Sequence, residues 1–576
     1  MKRIYALLLF ISVYSTAFCT EPDSLYHSFA TAYARLDAAL IKELYLKDAE
    51  VLNLYDGEPA QSLKGTAAIE VYYRNFFESF RKNHQQLVLT FKIHRRNKEG
   101  AYLLDNGFYQ LEIVTPGKPS SFLFGKFSTV LATENGAWNF KTDATTNTDF
   151  KDYEDETAVP IPKREELLYA PFYDQLTGDY ITTDDELIVI GRSQVRLFAY
   201  FEKTGAYRGL NKITSTSWTA GRTVLSAEVN RRFEFQGDSL KVYEQDKPVI
   251  HAKRVSLYRT EEVSYRNEQQ QQLAGTLFIP VKPNGKAVVL VHGSGAQDRH
   301  GYASIIRLLA DVLARKGITV LTYDKQGVAA LEGNFEQLGF SGLAADALAG
   351  IHYLKQRKDL LLQQTGLGGS SQAGWVIAKA IEQEAGAVDF VFTIGAAGSG
   401  TTVITQNLYN TEQQMRCAGI FNALQIRNAL TQQELFFQYI STPTPQHAKQ
   451  LDRFTQQCLK DTLLKDWLFP VSDAIDLTDK NQWFTTLEIS FNPLPVWKQY
   501  QKPMLMQFGT YDDATPSELI VKKLQQLKHP HLQIELLNGA QHLGLKATGM
   551  CRGDLWNVHE FHPDFFKQLL QWFDSF

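Results

Sequence analysis

The sequence predicts a multidomain protein with an N-terminal α+β unit, a small antiparallel β domain, and a C-terminal α/β domain whose sheet is mostly parallel and carries a helical lid. The chain has 576 residues, more than one hydrophobic core usually serves. An acidic, proline-bearing stretch at 152–162 is typical of a linker. Beyond residue 262, continuous apolar runs such as 286–291 are typical of strands buried in a parallel sheet.

The N-terminal segment has the layout of a secretory signal. Lys2 and Arg3 precede an apolar stretch at 4–13, and small and polar residues follow it. We expect cleavage after Cys19, so that residues 1–19 are a signal peptide and the protein is exported, to the periplasm or outside the cell. A lipid-modified Cys19 is the alternative, although the bulky Phe18 before it fits a lipoprotein signal poorly. The apolar stretch is shorter than the ~20 residues that span a bilayer, so we expect no integral membrane span.

Composition is that of a globular protein. The chain is 44% hydrophobic and 12% aromatic, and its net charge of −4 gives no reason to expect nucleic acid or an anionic membrane as a partner. The sequence has no CxxC motif and no His/Cys cluster with zinc spacing. We therefore predict no metal, and the sequence implies no cofactor.

Residues 22–150 are predicted to form the α+β unit. Apolar residues recur at helical steps from Phe29 to Leu44, and a second helix is predicted at 66–80. Alternating patterns predict strands at 86–93, 100–115, 121–132 and 137–142.

The runs 125–130 (GKFSTV) and 136–140 (GAWNF) resemble the late strand pair of the NTF2-like (SnoaL-type) domain. The resemblance implies a cone-shaped sheet whose interior holds a small molecule or whose face forms a homodimer. A filled core without a ligand is the third alternative.

Residues 163–260 are predicted to form the small antiparallel β domain. Short alternating runs at 187–190, 195–201 and 240–243 predict its strands. Its role is either substrate positioning, an interface or that of a spacer.

Ser371 is the candidate nucleophile. It lies in the run 367–374 (LGGSSQAG), between a strand and the apolar helical stretch 375–381, and a sharp strand-to-helix turn of this kind exposes a serine hydroxyl. Gly369 and Ala373 supply the small residues that the turn needs. Ala373 stands where the GxSxG pattern has its last glycine, so one extra methyl group must be accommodated.

A glycine-rich loop supplies candidate oxyanion donors. The apolar run 286–291 leads into His-Gly-Ser-Gly at 292–295, which can aim backbone N–H groups at a ligand. We assign the two donors to the backbone amides of Ser294 and Gln372, each contributing about 3 kcal/mol of barrier lowering. A plain strand-ending turn is the alternative for this loop.

Asp512 and His542 are the candidate acid and base. Asp512 follows an apolar strand-like run, and its neighbour Asp513 stays the alternative. His542 lies on a loop after the strand-like run 533–537. The chain order of Ser371, Asp512 and His542 is that of the α/β-hydrolase triad.

Residues 262–576 resemble an α/β-hydrolase serine esterase. Besides the triad order, 273–280 resembles the leading strands of that family, 292–299 its HGSGxQDR oxyanion segment and 323–327 its YDxRG turn. The last motif departs from the family at Gln326, where arginine is common. The resemblance implies a hydrolase that cleaves a small-molecule carboxylic ester through an acyl-enzyme on Ser371.

Residues of about 401–492 are predicted to form the helical lid, because Gln, Leu and aromatic residues recur there at helical spacing. Its aromatic residues are more typical of internal packing than of a substrate pocket. Cys417 and Cys458 lie in this region, and they either pair in an oxidising compartment or remain free thiols.

Two other functions stay open. A serine peptidase on the same fold would use the same triad on amides. A non-catalytic protein would instead hold a small molecule in the NTF2-like pocket.

Overall fold

The structure, a computed structural model, describes residues 22–55, 59–115, 121–134, 136–148, 173–193, 196–213, 216–225, 230–244, 246–329, 331–480 and 482–576. The predicted signal peptide at 1–19 and the predicted linker at 152–162 lie outside the described residues. The contacts divide the chain into two compact units, Met1–Val159 and Pro160–Phe576.

The first unit combines helices with one sheet. In the described residues its helices are α1 (Pro22–Arg35), α2 (Ala38–Glu43) and α3 (Thr66–Lys82). Its strands are β1 (Tyr45–Asn53), β2 (Gln61–Lys64), β3 (Gln86–Glu99), β4 (Tyr102–Val114), β5 (Ser121–Glu134) and β6 (Ala137–Thr148). They pair in the order β2-β1-β6-β5-β4-β3, antiparallel except between β1 and β6. The four strands predicted from alternation are β3 to β6.

The helix predicted from Phe29 to Leu44 is wrong in one respect, because the structure breaks it into α1 and α2. Leu36 adopts a left-handed conformation with φ 53°, which ends the first helix. The Asp37 side chain then accepts hydrogen bonds from the amides of Ala39 and Leu40 and caps the second. The apolar periodicity runs through the break because both helices bury residues in the same core.

Aromatic side chains fill the interior of the first unit. Tyr26 and Phe29 of α1 pack against rings of the sheet, with centroids 5.1 to 5.9 Å apart for the contacts with Phe91 and Phe140. The buried Asp143 accepts a 2.6 Å hydrogen bond from the Tyr45 hydroxyl, and burial raises its pKa to about 6. In the described residues this packing favours the filled-core alternative.

The second unit begins with a closed barrel in which every neighbouring pair of described strands is antiparallel. In the order around the barrel, the strands are β10-β11-β12-β13-β14-β7-β8-β9. Their bounds are β7 (Gly178–Thr182), β8 (Leu187–Ser193), β9 (Arg196–Phe201), β10 (Ala206–Lys212), β11 (Ser217–Ala220), β12 (Arg231–Gln236), β13 (Ser239–Glu244) and β14 (Lys247–Val255). Closure leaves the sheet without free edges.

The barrel packs closely on the rest of the second unit. Gly191 of β8 faces Ser304 so closely that a Cβ there would lie 2.1 Å from the Ser304 Oγ. The segment 555–561 pairs with the barrel: the amide of Tyr207 donates to the carbonyl of His559 at 2.8 Å, and that of Val224 donates to the carbonyl of Val558 at 2.9 Å. A spacer role does not explain contacts of this kind.

The C-terminal sheet is mixed and mostly parallel. In its described residues the order is β15-β16-β18-β17-β19-β20-β21-β22, with antiparallel pairing only on the two sides of β16. The strands are β15 (Tyr258–Arg266), β16 (Gln272–Pro280), β17 (Lys286–Val291), β18 (Thr319–Tyr323), β19 (Gln364–Ser370), β20 (Val391–Ile394), β21 (Met504–Gly509) and β22 (Leu532–Leu537). The sheet therefore begins at Tyr258, before the predicted boundary at 262.

Helices connect the parallel strands. They are α4 (Ile305–Arg315), α5 (Gly339–Gln356), α6 (Ala373–Glu384), α7 (Val403–Ala418), α8 (Ala423–Ser441), α9 (Pro445–Cys458), α10 (Trp483–Thr486), α11 (Leu494–Gln499), α12 (Ser517–Gln526) and α13 (Asp564–Phe573). Among the described helices, none is both long enough and apolar enough to cross a lipid bilayer.

The predicted lid is a helical insertion between β20 and β21, which contains α7 to α11. Its sequence sets the helix starts: Thr402 and Thr444 cap α7 and α9, and Asn422 with Gln425 forms a capping box at α8. Phe436 and Phe437 are buried, which agrees with the expected internal packing.

Neither alternative for Cys417 and Cys458 holds for both residues. Cys417, at the end of α7, is bonded to Cys551, while Cys458 is a buried free thiol. Cys458 packs instead in the small core between α8 and α9, with Met415 and Ile426. The bond thus ties the insertion to the segment that follows His542 rather than closing the insertion on itself.

We expect removal of the Cys417–Cys551 bond to destabilise the second unit. It closes a loop with a sequence separation of 134, and the lost entropy of the unfolded chain makes a loop of this length worth about 5 kcal/mol of unfolding free energy. Urea unfolding of the protein with and without reductant, and of the Cys417→Ser/Cys551→Ser variant, measures this. Cys458→Ser is the control, because it should keep the difference between oxidised and reduced protein. A double variant as stable as the oxidised parent would contradict the assignment.

Candidate active site

Ser371 occupies the strand-to-helix turn that the sequence predicts. It follows β19 directly and adopts a left-handed conformation with φ 57°, which is strained for a residue other than glycine. Its amide donates to the carbonyl of Ile394 at the end of the neighbouring strand β20, at 3.0 Å. A sharp turn with this strain is the geometry that projects a nucleophile from the edge of a sheet.

Small residues allow helix α6 to cross close to the strand at this turn. A Cβ on Gly369 would lie 2.6 Å from the Cβ of Ala373 and 2.3 Å from the carbonyl oxygen of Val291. The Ala373 methyl is fully buried and fits because residue 369 has no side chain. The departure from the GxSxG pattern is therefore accommodated.

Asp512 and His542 form a hydrogen-bonded pair. The His542 Nδ1 lies 2.9 Å from Asp512 Oδ2 and 3.1 Å from Oδ1. Oδ1 also accepts from the amides of Ala514 and Thr515, at 3.0 and 2.8 Å. With Nδ1 donating to the carboxylate, Nε2 is the ring nitrogen left to accept a proton.

The Asp512 carboxylate raises the pKa of the His542 imidazole. Burial by itself lowers the pKa of His542, but the charge and hydrogen bonds of Asp512, together with the charge of Asp513, outweigh it and raise the pKa above the usual value. Asp513 makes no hydrogen bond to the ring among the described residues. Burial, and then the charge of Asp512, raises the pKa of Asp513 to about 6.

Gly395 is a site residue that the sequence analysis missed. It follows β20 with φ 53°, and a Cβ there would lie 2.3 Å from the carbonyl oxygen of His542 and 3.3 Å from Asp512 Oδ2. Thr515 donates to its carbonyl at 2.9 Å. Only a glycine fits beneath the Asp512–His542 pair. In the sequence, a single glycine after a short apolar run does not indicate that it lies in a functional site.

Strand register brings Ser371 beside the pair. Ser370 is paired with Ile394 across β19 and β20, so Ser371 and Gly395 leave the two strands side by side. Among the described hydrogen bonds, none joins the Ser371 hydroxyl to His542. In enzymes without substrate this contact is often long and tightens when substrate binds.

The two candidate oxyanion donors border the nucleophile. A Cβ on Gly293, which precedes Ser294, would lie 3.4 Å from the Cβ of Ser371, and Gln372 follows Ser371 directly. In the described part of the chain, neither the Ser294 nor the Gln372 amide donates a hydrogen bond within the protein. Both N–H groups are therefore available to a bound oxygen.

The rest of the HGSGxQDR segment holds this loop in place. The side-chain amide of Gln297 donates to the carbonyl of Ser294 at 2.6 Å. Asp298 forms a 2.5 Å ion pair with Arg192 of the barrel strand β8, and Arg299 pairs with Asp324 at 2.6 Å. These motif residues therefore stabilise the loop, and Asp298 also links it to the barrel.

The other histidines near the site have structural surroundings. His562 Nδ1 accepts from the backbone amide of Asp564 at 3.2 Å, and so contributes to the start of α13. His559 is exposed, and its carbonyl contacts the barrel. His292 is buried against Tyr323, and its burial, with the charge of Lys325, lowers its pKa to about 3.

The insertion contacts the acid loop directly. Tyr409 of α7 donates its hydroxyl to the carbonyl of Asp512 at 2.8 Å, and Gln406 donates to the carbonyl of Ala514 at 3.2 Å. With the Cys417–Cys551 bond, α7 is fixed to the loops of both Asp512 and His542. Within the residues that the structure describes, no group of three or more His, Cys, Asp or Glu side chains is placed to hold a metal ion.

Comparison with known proteins gives structural neighbours only. No family model matches the chain, and no curated protein matches it. An esterase of Pyrococcus furiosus is 13% identical, with 55% of this chain and 92% of that chain covered and a TM-score of 0.35. The α/β hydrolase GrgF of a Penicillium species is 17% identical, with 50% and 91% covered and a TM-score of 0.31. Est1E of Butyrivibrio proteoclasticus, solved with ferulic acid bound, is 16% identical, with 54% and 95% covered and a TM-score of 0.32. Because these TM-scores are below 0.5, we base the fold on the strand order and crossovers of the chain itself.

We expect Gly395→Ala to destabilise the site. The added methyl group meets the His542 backbone and the left-handed backbone is strained for alanine, so we expect a loss of about 2–3 kcal/mol of unfolding free energy. Urea unfolding measures the loss. Gly386→Ala is the matched control, since a Cβ there meets no atom within 4 Å. Equal stability of the two variants would contradict the close packing of Gly395 under His542.

Proposed function

We propose that this chain is a serine hydrolase that cleaves carboxylic esters through an acyl-enzyme on Ser371. The observation that carries the proposal is the Asp512–His542 hydrogen bond at the same sheet edge as the Ser371 turn. A strained serine and an acid-oriented imidazole at one edge of a sheet are the two parts that nucleophilic catalysis needs. The preference for esters over amides comes from the sequence resemblance to serine esterases.

The mechanism follows from these positions. Ser371 Oγ attacks the acyl carbonyl while His542 Nε2 takes the hydroxyl proton, and Asp512 stabilises the imidazolium and fixes its tautomer. The amides of Ser294 and Gln372 stabilise the tetrahedral oxyanion. His542 then gives its proton to the leaving alcohol, and water, activated by the same base, releases the acid.

We also propose that the protein works outside the cytoplasm. The signal-like segment 1–19 is the sequence argument. The Cys417–Cys551 bond supports it, because structural disulfides persist in oxidising compartments.

Two assays distinguish the competing functions. A fluorophosphonate probe labels Ser371 of an active serine hydrolase, whereas a non-catalytic binding protein stays unlabelled. Rates on p-nitrophenyl acyl esters and on aminoacyl p-nitroanilides then compare ester with amide cleavage. We expect labelling and faster ester cleavage, and faster amide cleavage would instead identify a peptidase.

We expect Ser371→Ala to abolish turnover without loss of folding. Removing the nucleophile of a triad typically lowers kcat by at least about 10⁴-fold. His542→Ala should show a comparable loss, measured by initial rates on p-nitrophenyl acetate. His559→Ala and Ser370→Ala are the controls and should keep their activity. Retained turnover in Ser371→Ala would exclude this nucleophile.

We expect kcat/KM to fall at acidic pH with an apparent pKa above the ordinary imidazole value of about 6.5. The base must be neutral to accept a proton, and its folded-state pKa is raised, so protonation removes activity as pH falls through that raised pKa. Asp513→Asn should move this acid limb to lower pH, because it removes one of the charges that raise the pKa of His542. An unshifted or oppositely shifted limb in Asp513→Asn would contradict the charge coupling.

A further inference from the structure

Lys325 lies beneath the candidate oxyanion loop. It follows β18, in the YDxRG-like turn, and its side chain is 2% exposed. Its ammonium donates to the carbonyl of Gly293 at 2.6 Å and to that of Gly295 at 2.8 Å. A third contact, at 3.5 Å, reaches the side-chain oxygen of Gln372. The same side chain therefore contacts the backbone on both sides of Ser294 and the side chain of Gln372.

The contact with Gly293 bears directly on Ser294. The Gly293 carbonyl and the Ser294 N–H belong to one peptide group, and in a trans peptide the two point in opposite directions. A cation fixed on the carbonyl therefore directs the N–H away from Lys325. Gly293 itself lies beside the nucleophile, since a Cβ on it would lie 3.4 Å from the Cβ of Ser371.

The charge also strengthens the donor. A hydrogen bond from an ammonium to a carbonyl polarises the peptide group, and chains of hydrogen bonds reinforce one another in a low-dielectric interior. Lys325 has no carboxylate partner among its described contacts: its other neighbours are the Phe335 ring, 5.0 Å away, and the imidazole of His292. Burying an unpaired ammonium is unfavourable, and burial lowers its pKa to about 7. Lys325 is therefore only partly protonated near neutral pH, and its amino group can donate to the two carbonyls in either protonation state.

We propose that Lys325 is a positioning residue that holds the Gly293–Ser294 peptide group in the orientation needed to stabilise the oxyanion. The proposal rests on the proposed function, since it requires Ser371 to be the nucleophile. Lys325 contacts the loop and not the reacting atoms, so its effect is confined to steps in which negative charge develops on the substrate oxygen.

The test is the rate at which a fluorophosphonate labels Ser371, because charge builds on the phosphoryl oxygen as the serine attacks. In Lys325→Met we expect this rate and kcat for p-nitrophenyl acetate to fall about 10- to 100-fold, part of what the loss of a whole oxyanion donor removes. KM should change by less than about threefold, because the contact matters mainly in the transition state. Affinity for a trifluoromethyl ketone, which leaves an oxyanion on its serine adduct, should fall in parallel with kcat/KM.

Lys286→Met is the matched control. Lys286 also donates to two backbone carbonyls, those of Phe573 at 2.8 Å and of Phe576, but these lie in and after α13, away from the candidate site. Its loss should lower stability and leave the labelling rate unchanged. If Lys325→Met does not fold, Lys325→Gln, which keeps one amide donor, replaces it and should lose at least about tenfold in labelling rate.

The outcomes separate the two claims. A folded Lys325 variant that is labelled at the parent rate would overturn the role of Lys325 while leaving the proposed function intact. Equal losses in the Lys325 and Lys286 variants would overturn it too, because they would indicate a general effect of removing a lysine that donates to backbone carbonyls. If the parent protein itself is not labelled at Ser371, the proposed function fails, and the role of Lys325 fails with it.

Discussion

Parallel pairing of neighbouring strands is the constraint on which the candidate active site depends. β17, β19, β20, β21 and β22 all run in one direction, so the loops that follow them meet at a single edge of the sheet. That edge receives the candidate oxyanion loop, the Ser371 turn, Gly395, Asp512 and His542, each from a different strand. Residues that are distant in sequence become neighbours because the sheet fixes both the direction and the register of their strands.

Backbone hydrogen bonds orient the Asp512 carboxylate. Oδ1 accepts hydrogen bonds from the amides of Ala514 and Thr515, which fixes the side chain in one orientation. Oδ2 makes the shorter contact with the imidazole. Gly395 fills the space below the pair, and the Thr515 hydroxyl contacts both its carbonyl and, at 3.4 Å, the His542 ring. These contacts therefore orient the imidazole, although 19% of the His542 side chain remains exposed to solvent.

The sequence was sufficient for the features that depend on local chemistry. Buried parallel strands have continuous apolar runs, and a nucleophile-like turn needs small residues at fixed offsets. β17, the Ser371 turn and the pairing of Asp512 with His542 could therefore be predicted. Features that depend on packing between distant segments could not. Asp37 is a possible helix cap next to Leu36, but the apolar periodicity continues through it and so conceals the break. The positions of cysteines in a sequence do not show which of them are bonded. Barrel closure follows from the pairing of β9 with β10 and of β14 with β7, which alternation alone cannot reveal.

The segment 555–562 forms backbone hydrogen bonds both with the barrel and with the loop that carries His542. On one side it hydrogen-bonds to the barrel through the carbonyls of Val558 and His559, and on the other His562 and Glu560 bond to the 544–546 end of the loop that carries His542. The barrel and the candidate active-site edge are therefore tied through a common strip of backbone. Any replacement for either one would have to supply matching backbone donors and acceptors along that strip. We therefore expect the two to be inherited together as one block.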